Sequence, residues 1–130
     1  MVIKLIKGDL FEHINNYDIV IHGCNCFNKM GAGFAKEIKT KYPEAYQADK
    51  HTKRGDKTKL GTFSKYQKNG LIILNCYTQY YYGRRLTNGH PPFDYDAFIK
   101  VLKLIRSHYG KRNFKFCMPK IGSGLAGGDW

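Results

Sequence analysis

Hydrophobic positions change period along this chain, and each change marks an element. Residues 2–6 alternate apolar and polar, as a half-buried strand does. Residues 18–22 carry Ile19-Val20-Ile21, a β-branched run suited to a buried strand, and Gly8-Asp9-Leu10-Phe11 forms a turn between the two. From Ala32 the spacing becomes helical. Phe34, Ala35, Ile38 and Tyr42 recur on one face, and Pro43 ends the run. Residues 61–66 and 71–77 read as two strands joined through Lys68-Asn69-Gly70, since Asn-Gly is a strong hairpin signal. Pro91-Pro92 precedes a second helix. Asp94 or Asp96 caps it, and Phe98, Val101, Leu102, Ile105 and Tyr109 form its apolar stripe. Residues 114–118 make a last short strand. Helices interleaved with strands predict a layered α/β domain with a mixed sheet. Ligands of such sheets sit at the loops beyond the strand C-termini.

Composition bounds the reading without changing it. The 130 residues, 42% of them hydrophobic, fit one globular domain. The longest apolar run, residues 71–74, is too short to span a bilayer, and the N-terminus lacks a signal-peptide pattern. A cytoplasmic protein with no membrane partner is expected. Cys24, Cys26, Cys76 and Cys117 form no CxxC pair, and no ligand spacing suggests a metal site, so reduced packing thiols and no cofactor are expected. The net charge of +12, densest among the lysines of residues 50–59, does change the picture. It favours an anionic partner: a nucleotide, a phosphorylated metabolite or a nucleic acid.

Two loops rich in glycine answer to that charge. The first runs His22-Gly23-Cys24-Asn25-Cys26-Phe27-Asn28-Lys29-Met30-Gly31-Ala32-Gly33-Phe34-Ala35 and joins a strand to a helix. Gly31 and Gly33 allow close backbone approach, and the helix start offers free N–H groups and a positive dipole end. Asn25 and Asn28 can each offer an amide donor and acceptor to a sugar hydroxyl. The second loop runs Ile121-Gly122-Ser123-Gly124-Leu125-Ala126-Gly127-Gly128-Asp129-Trp130. It matches GxGxxG, but a dinucleotide fingerprint needs a following helix and an acid about 20 positions on. A shared diphosphate cradle fits both loops better.

Four motifs in order resemble a macrodomain: Gly8-Asp9-Leu10, Ile21-His22-Gly23-Cys24-Asn25, Gly31-Ala32-Gly33-Phe34-Ala35 and the final Gly-rich loop. His22, with the Cys24-Asn25-Cys26 and Met30-Gly31-Ala32-Gly33 runs, is most similar to the phage and fungal branch that hydrolyses ADP-ribose 1″-phosphate. The resemblance implies a single domain over residues 1–130, a three-layer sandwich with a mixed sheet. It implies ADP-ribose or its 1″-phosphate as ligand. Asp9 would receive the adenine amino group. Backbone N–H groups of Leu10, Gly33, Ser123, Gly124, Leu125 and Ala126 would hold phosphate oxygens, within a cradle that also includes Gly31, Ala32, Phe34, Gly122 and Gly127. Asn25 would orient the distal ribose, with Asn28 beside it. His22 would serve as general acid or base, or else as a hydrogen-bonded strand-end residue. Gln79 and Asp129 would position water. A related branch that removes ADP-ribose from protein carboxylates uses a lysine and an aspartate where this chain has Gln79 and Ala126. Two other readings stay open: an ADP-ribose reader without turnover, and a nucleic-acid module built on Tyr80-Tyr81-Tyr82 near Arg84 and Arg85. In the family the final loop is followed by a helix and a closing strand. Both are missing after Trp130, which predicts self-association through an open edge.

Overall fold

A computed structural model describes residues 8–82 and 93–120. Within them the chain forms α1 (Leu10–His13), β1 (Ile19–Asn25), α2 (Gly33–Lys41), α3 (Pro43–Lys50), β2 (Phe63–Lys68), β3 (Leu71–Gln79), α4 (Tyr95–Tyr109) and β4 (Phe116–Cys117). Short 3-10 turns follow α1 and precede β2, at Ile14–Asn16 and Lys57–Lys59. The sheet order is β2-β3-β1-β4. β1 lies parallel to both β3 and β4, and β2 pairs antiparallel with β3, so the sheet is mixed as expected.

Side-chain alternation on β1 and β3 builds two cores on opposite faces of that sheet. Ile19 and Ile21, with Ile72, Leu74 and Cys76, face α4 and meet Val101 and Ile105. Val20 and Cys24, with Ile73 and Tyr77, face the other way and meet Ile38 of α2 and Ala45 of α3. Helix, sheet and helix therefore form three layers. β1 is almost wholly buried, which suits a central parallel strand. The β2–β3 hairpin closes at Lys68↔Leu71 through Asn69 and Gly70. Both have positive φ, 52° and 82°, as a two-residue loop that follows sheet twist requires.

Several boundaries differ from the sequence reading: β2 lies two residues later than expected, β3 runs two residues further, and β4 is shorter at both ends. The Gly8–Phe11 turn contains a short helix, because the Asp9 carboxylate accepts a hydrogen bond from the Phe11 N–H at 3.0 Å and caps α1. Pro43 starts α3 as well as stopping α2: at the first helical position its missing N–H costs nothing. β1 continues three residues beyond His22, to Asn25. The strand expected over residues 2–6, Pro91-Pro92, and the second Gly-rich loop lie outside the described residues.

Candidate functional site

The parallel strands β1 and β3 end together. Asn25 and Gln79 pair in register at that edge, just after an irregularity at Cys24/Asn25. Two candidate residues from distant parts of the sequence are thereby adjacent. The Gln79 amide donates to the Tyr81 carbonyl at 2.8 Å, so its orientation is set by the turn that follows β3.

The loop from β1 to α2 is held by its own side chains. The Asn25 carboxamide oxygen accepts from the backbone N–H groups of Phe27 (2.9 Å) and Lys29 (3.3 Å), and its Nδ2 donates to the Lys29 carbonyl (2.7 Å). Asn28 adopts a left-handed φ of 58°. Its Nδ2 donates to the Thr52 carbonyl at 3.1 Å and its Oδ1 accepts from Lys59 Nζ at 2.9 Å. Both asparagines thus shape the loop first. Their oxygens are engaged by the protein, and one Nδ2 N–H of each is left beyond these bonds.

Beyond the loop, α2 starts without a side-chain cap at Ala32. Gly33 has φ +58°, and a Cβ on either Gly31 or Gly33 would meet no atom of the described residues within 4 Å. Among those residues, space is therefore open beside the uncapped N–H groups and positive end of a nine-residue helix. Asp9 and α1 are brought to the same place by a stack of Phe11 on Phe34, with centroids 4.9 Å apart and planes 16° apart. The Asp9 carboxylate is exposed and held by its cap. The first and third motifs, 24 positions apart in sequence (Asp9 to Gly33), are neighbours through that one aromatic contact.

His22 sits elsewhere than expected. It lies in mid-strand, opposite Asn75 of β3, and is 1% exposed. Its Nε2 donates to Asn75 Oδ1 at 2.6 Å, and Asn75 Nδ2 donates to the Ala45 carbonyl and to Ser64 Oγ. Burial holds its pKa down to about 4, against a smaller upward pull from that hydrogen bond, so the ring is neutral near pH 7. Phe34 covers it, with ring centroids 5.9 Å apart. Of the two roles open to His22, this setting fits the hydrogen-bonded anchor; an acid or base needs access to the reacting atoms. The strand-end position is corrected: β1 runs three residues further.

A buried polar cluster beneath the loop escaped the sequence reading. Lys59, 7% exposed, donates to the Cys26 carbonyl at 3.2 Å as well as to Asn28, and its ammonium lies 4.6 Å from the centre of the Tyr77 ring. The Tyr77 hydroxyl donates to Asp49 Oδ1 at 2.8 Å. Asp49 is 1% exposed. Desolvation lowers the Lys59 pKa and raises that of Asp49, with Tyr77 and Lys59 opposing the latter shift. Gly55 N–H also donates to the Cys26 carbonyl, at 2.6 Å, so residues 49–59 clasp the loop from below. The dense lysine stretch of residues 50–59 was visible, but no pattern singled out Lys59 as its buried member.

Phe27 packs edge-on against Tyr80, with Tyr81 and Tyr82 nearby, and the Tyr80 hydroxyl donates to the Gly55 carbonyl. This tyrosine run is therefore engaged in packing; Arg84 and Arg85 lie outside the described residues. So do Gly122, Ser123, Gly124, Leu125, Ala126, Gly127 and Asp129. Among the described residues, no three His, Cys, Asp or Glu side chains are grouped to hold a metal ion. No helix among them is long and apolar enough to cross a membrane.

No protein-family model matches the chain. Individual proteins do. The chain is 35% identical over its whole length to an uncharacterized 17.5 kDa protein of Enterobacteria phage T4, covering 84% of it. It is 30% identical to the ADP-ribose 1″-phosphate phosphatase of Debaryomyces hansenii, with 99% of this chain and 88% of the relative covered. Among solved structures, the macrodomain of Mycobacterium tuberculosis DarG superposes with a TM-score of 0.69 at 28% identity, covering 95% of this chain and 79% of that one. Thermosipho africanus DarTG in complex with ADP-ribose gives 0.69 at 20% identity, over 95% of this chain and 34% of that one. Sheet topology, the stacking of Phe11 of α1 on Phe34 of α2 and these likenesses agree: the chain belongs to the macrodomain family.

Proposed function

We propose that this protein binds ADP-ribose at the C-terminal edge of β1 and β3 and hydrolyses the phosphomonoester of ADP-ribose 1″-phosphate. The observation that carries the reading is the Phe11–Phe34 stack, which sets the exposed Asp9 carboxylate beside the open, uncapped start of α2. Asp9 would take the adenine amino group. The N–H groups of Leu10 and Gly33, with those of Ser123, Gly124, Leu125 and Ala126, would hold phosphate oxygens. Gly31, Ala32, Phe34, Gly122 and Gly127 would complete the wall.

In the reaction, water adds to phosphorus, the bond from phosphorus to the 1″ oxygen breaks, and that oxygen takes a proton. Inorganic phosphate and ADP-ribose leave. Fixed backbone donors stabilise the charge of such a transfer without reorganising. The first loop supplies amides and contains no carboxylate. Asn25 and Gln79, paired at the sheet edge, would orient the distal ribose and the attacking water, with Asp129 as a further candidate for the water. His22 would act as the anchor that fixes β1 to β3 under the loop. The relatives named ADP-ribose 1″-phosphate phosphatase support the substrate.

One observation favours a second reading, an ADP-ribose reader without turnover: the chief acid–base candidate, His22, is buried and neutral. Calorimetry with ADP-ribose, then phosphate release from ADP-ribose 1″-phosphate by the same sample, separates the two. Binding with steady phosphate release supports the phosphatase. Binding without release supports the reader, and absence of binding removes both.

A further inference from the structure

A second basic surface lies on the far side of the molecule. α4 starts beside the candidate site: Asp94 N–H donates to the Thr78 carbonyl at 2.7 Å, and Phe93 bridges Gln79. The helix then runs back over β3 for fifteen residues, about 22 Å, and the chain re-enters the sheet opposite the first residues of β1. Its last turn, at His108 and Tyr109, packs against Phe63 of β2, which pairs with Cys76 of β3. There Lys103, Arg106, Ser107, Gly110 and Lys111 line an open concavity of about 580 Å³. Lys65 is exposed on the face of β2 that it shares with Phe63, whose ring lies 5.5 Å from that of His108 in the last turn of α4.

The charge here is one-sided. From Ala97 to Gly128 the sequence holds seven lysines and arginines and no aspartate or glutamate, so this stretch alone supplies much of the +12. A basic surface on an average domain is offset by interspersed acids; here the Asp18 carboxylate meets the stretch, accepting from the Lys115 N–H at 2.8 Å, and the lining of the concavity itself holds none. The lining of the concavity is basic and small, with no apolar side chain to enter a bilayer. It has no aromatic side chain to stack on a base either.

We infer that this concavity docks the phosphodiester backbone of a nucleic acid duplex, independently of sequence and separately from the ADP-ribose site. The guanidinium of Arg106 and the ammonium groups of Lys103 and Lys111 meet phosphates, and Lys65 continues the basic track along the strand. Counterion release supplies the affinity, so binding is steeply salt-dependent.

The test compares the intact protein with a Lys103→Glu/Arg106→Glu/Lys111→Glu variant, all three positions being exposed. Fluorescence anisotropy with a labelled mixed-sequence DNA duplex is followed between about 50 and 200 mM salt. Thermal melts show that the variant is folded, and ADP-ribose calorimetry shows whether the other site is untouched. The expected result is at least a tenfold loss of duplex binding in the variant. The log–log salt slope should shrink by about 0.9 for each phosphate that the variant no longer neutralises. Melting temperature and any ADP-ribose affinity should stay the same. Equal duplex binding by the two proteins overturns the inference, as does failure of the wild type to bind duplex. Binding of the wild type to anionic phospholipid vesicles in preference to duplex overturns it too, by assigning the surface to a membrane. Failure of ADP-ribose to bind would count against the proposed function and leave this result readable.

Discussion

Asp9 caps a helix and is proposed to bind adenine with the same carboxylate. One oxygen accepts from the Phe11 N–H and caps α1; the residue is exposed. Asp9→Ala should weaken ADP-ribose binding by roughly 1.5–3 kcal/mol, the usual worth of a hydrogen bond to a charged group. Asp9→Asn keeps a good cap and separates the two jobs: calorimetry should show the affinity loss persisting while the melt recovers. His22 makes the opposite case, a polar residue whose partners are all internal. His22→Ala should leave the Asn75 oxygen unpaired and cost about 1–3 kcal/mol in urea unfolding. Phosphate release per folded molecule should change little. The pH dependence has a definite sign. The folded pKa of about 4 lies below the ordinary 6.5, so the neutral ring is favoured by folding. That contribution is fully present above pH 6.5 and is lost as pH falls towards 4, up to roughly 3 kcal/mol. A His22→Gln variant should lose this part of the acid sensitivity in urea melts between those two values.

At the scale of elements, the proposed function rests on α2 and the segment beneath its loop. Ala32 leaves the start of α2 uncapped. Ala32→Ser should therefore stabilise the fold by about 0.5–2 kcal/mol while its hydroxyl competes for the N–H groups offered to phosphate. A higher melting temperature with weaker ADP-ribose binding is the expected pair of results. Lys59→Met should remove the bonds to Cys26 and Asn28 and leave Asp49 without its nearby charge. Loss of stability and a loosened loop should follow, seen as faster amide hydrogen exchange over residues 25–31, with Lys59→Arg restoring part of it. The sequence showed some of these elements well and others poorly, for physical reasons. The β2–β3 hairpin and α4 were readable because Asn69-Gly70 needs positive φ and because Phe98, Val101 and Ile105 repeat at helical spacing. Asp94, one of two proposed caps, is the one that accepts the Ala97 N–H. α3 was missed because proline ends one helix and begins another with the same geometry. In the candidate site, Asp9, Gly31 and Gly33 were named from local pattern. The burial of His22 and the clasp by Lys59 depend on contacts 53 and 33 positions apart in sequence, which no local spacing encodes.

At the scale of the whole molecule, the two proposed anion sites draw on different elements of one sheet's surroundings. The proposed nucleotide site uses the loops after β1 and β3, and the proposed polyanion dock uses the last turns of α4. The sheet also divides the interior. Ile38 and Val101 are both fully buried, yet they belong to cores on opposite faces. Each layer stands about 10 Å from the sheet, so the two side chains share no neighbour except the strands between them. Ile38→Ala and Val101→Ala should each destabilise by a few kcal/mol, and the double variant by their sum within about 0.5 kcal/mol, as denaturant melts can check. Two interiors that do not feel one another's errors can also accept change separately. A lineage can then rework the helix proposed to meet a large partner without retuning the pocket proposed to read a small one, because the strands pass on pairing and not packing.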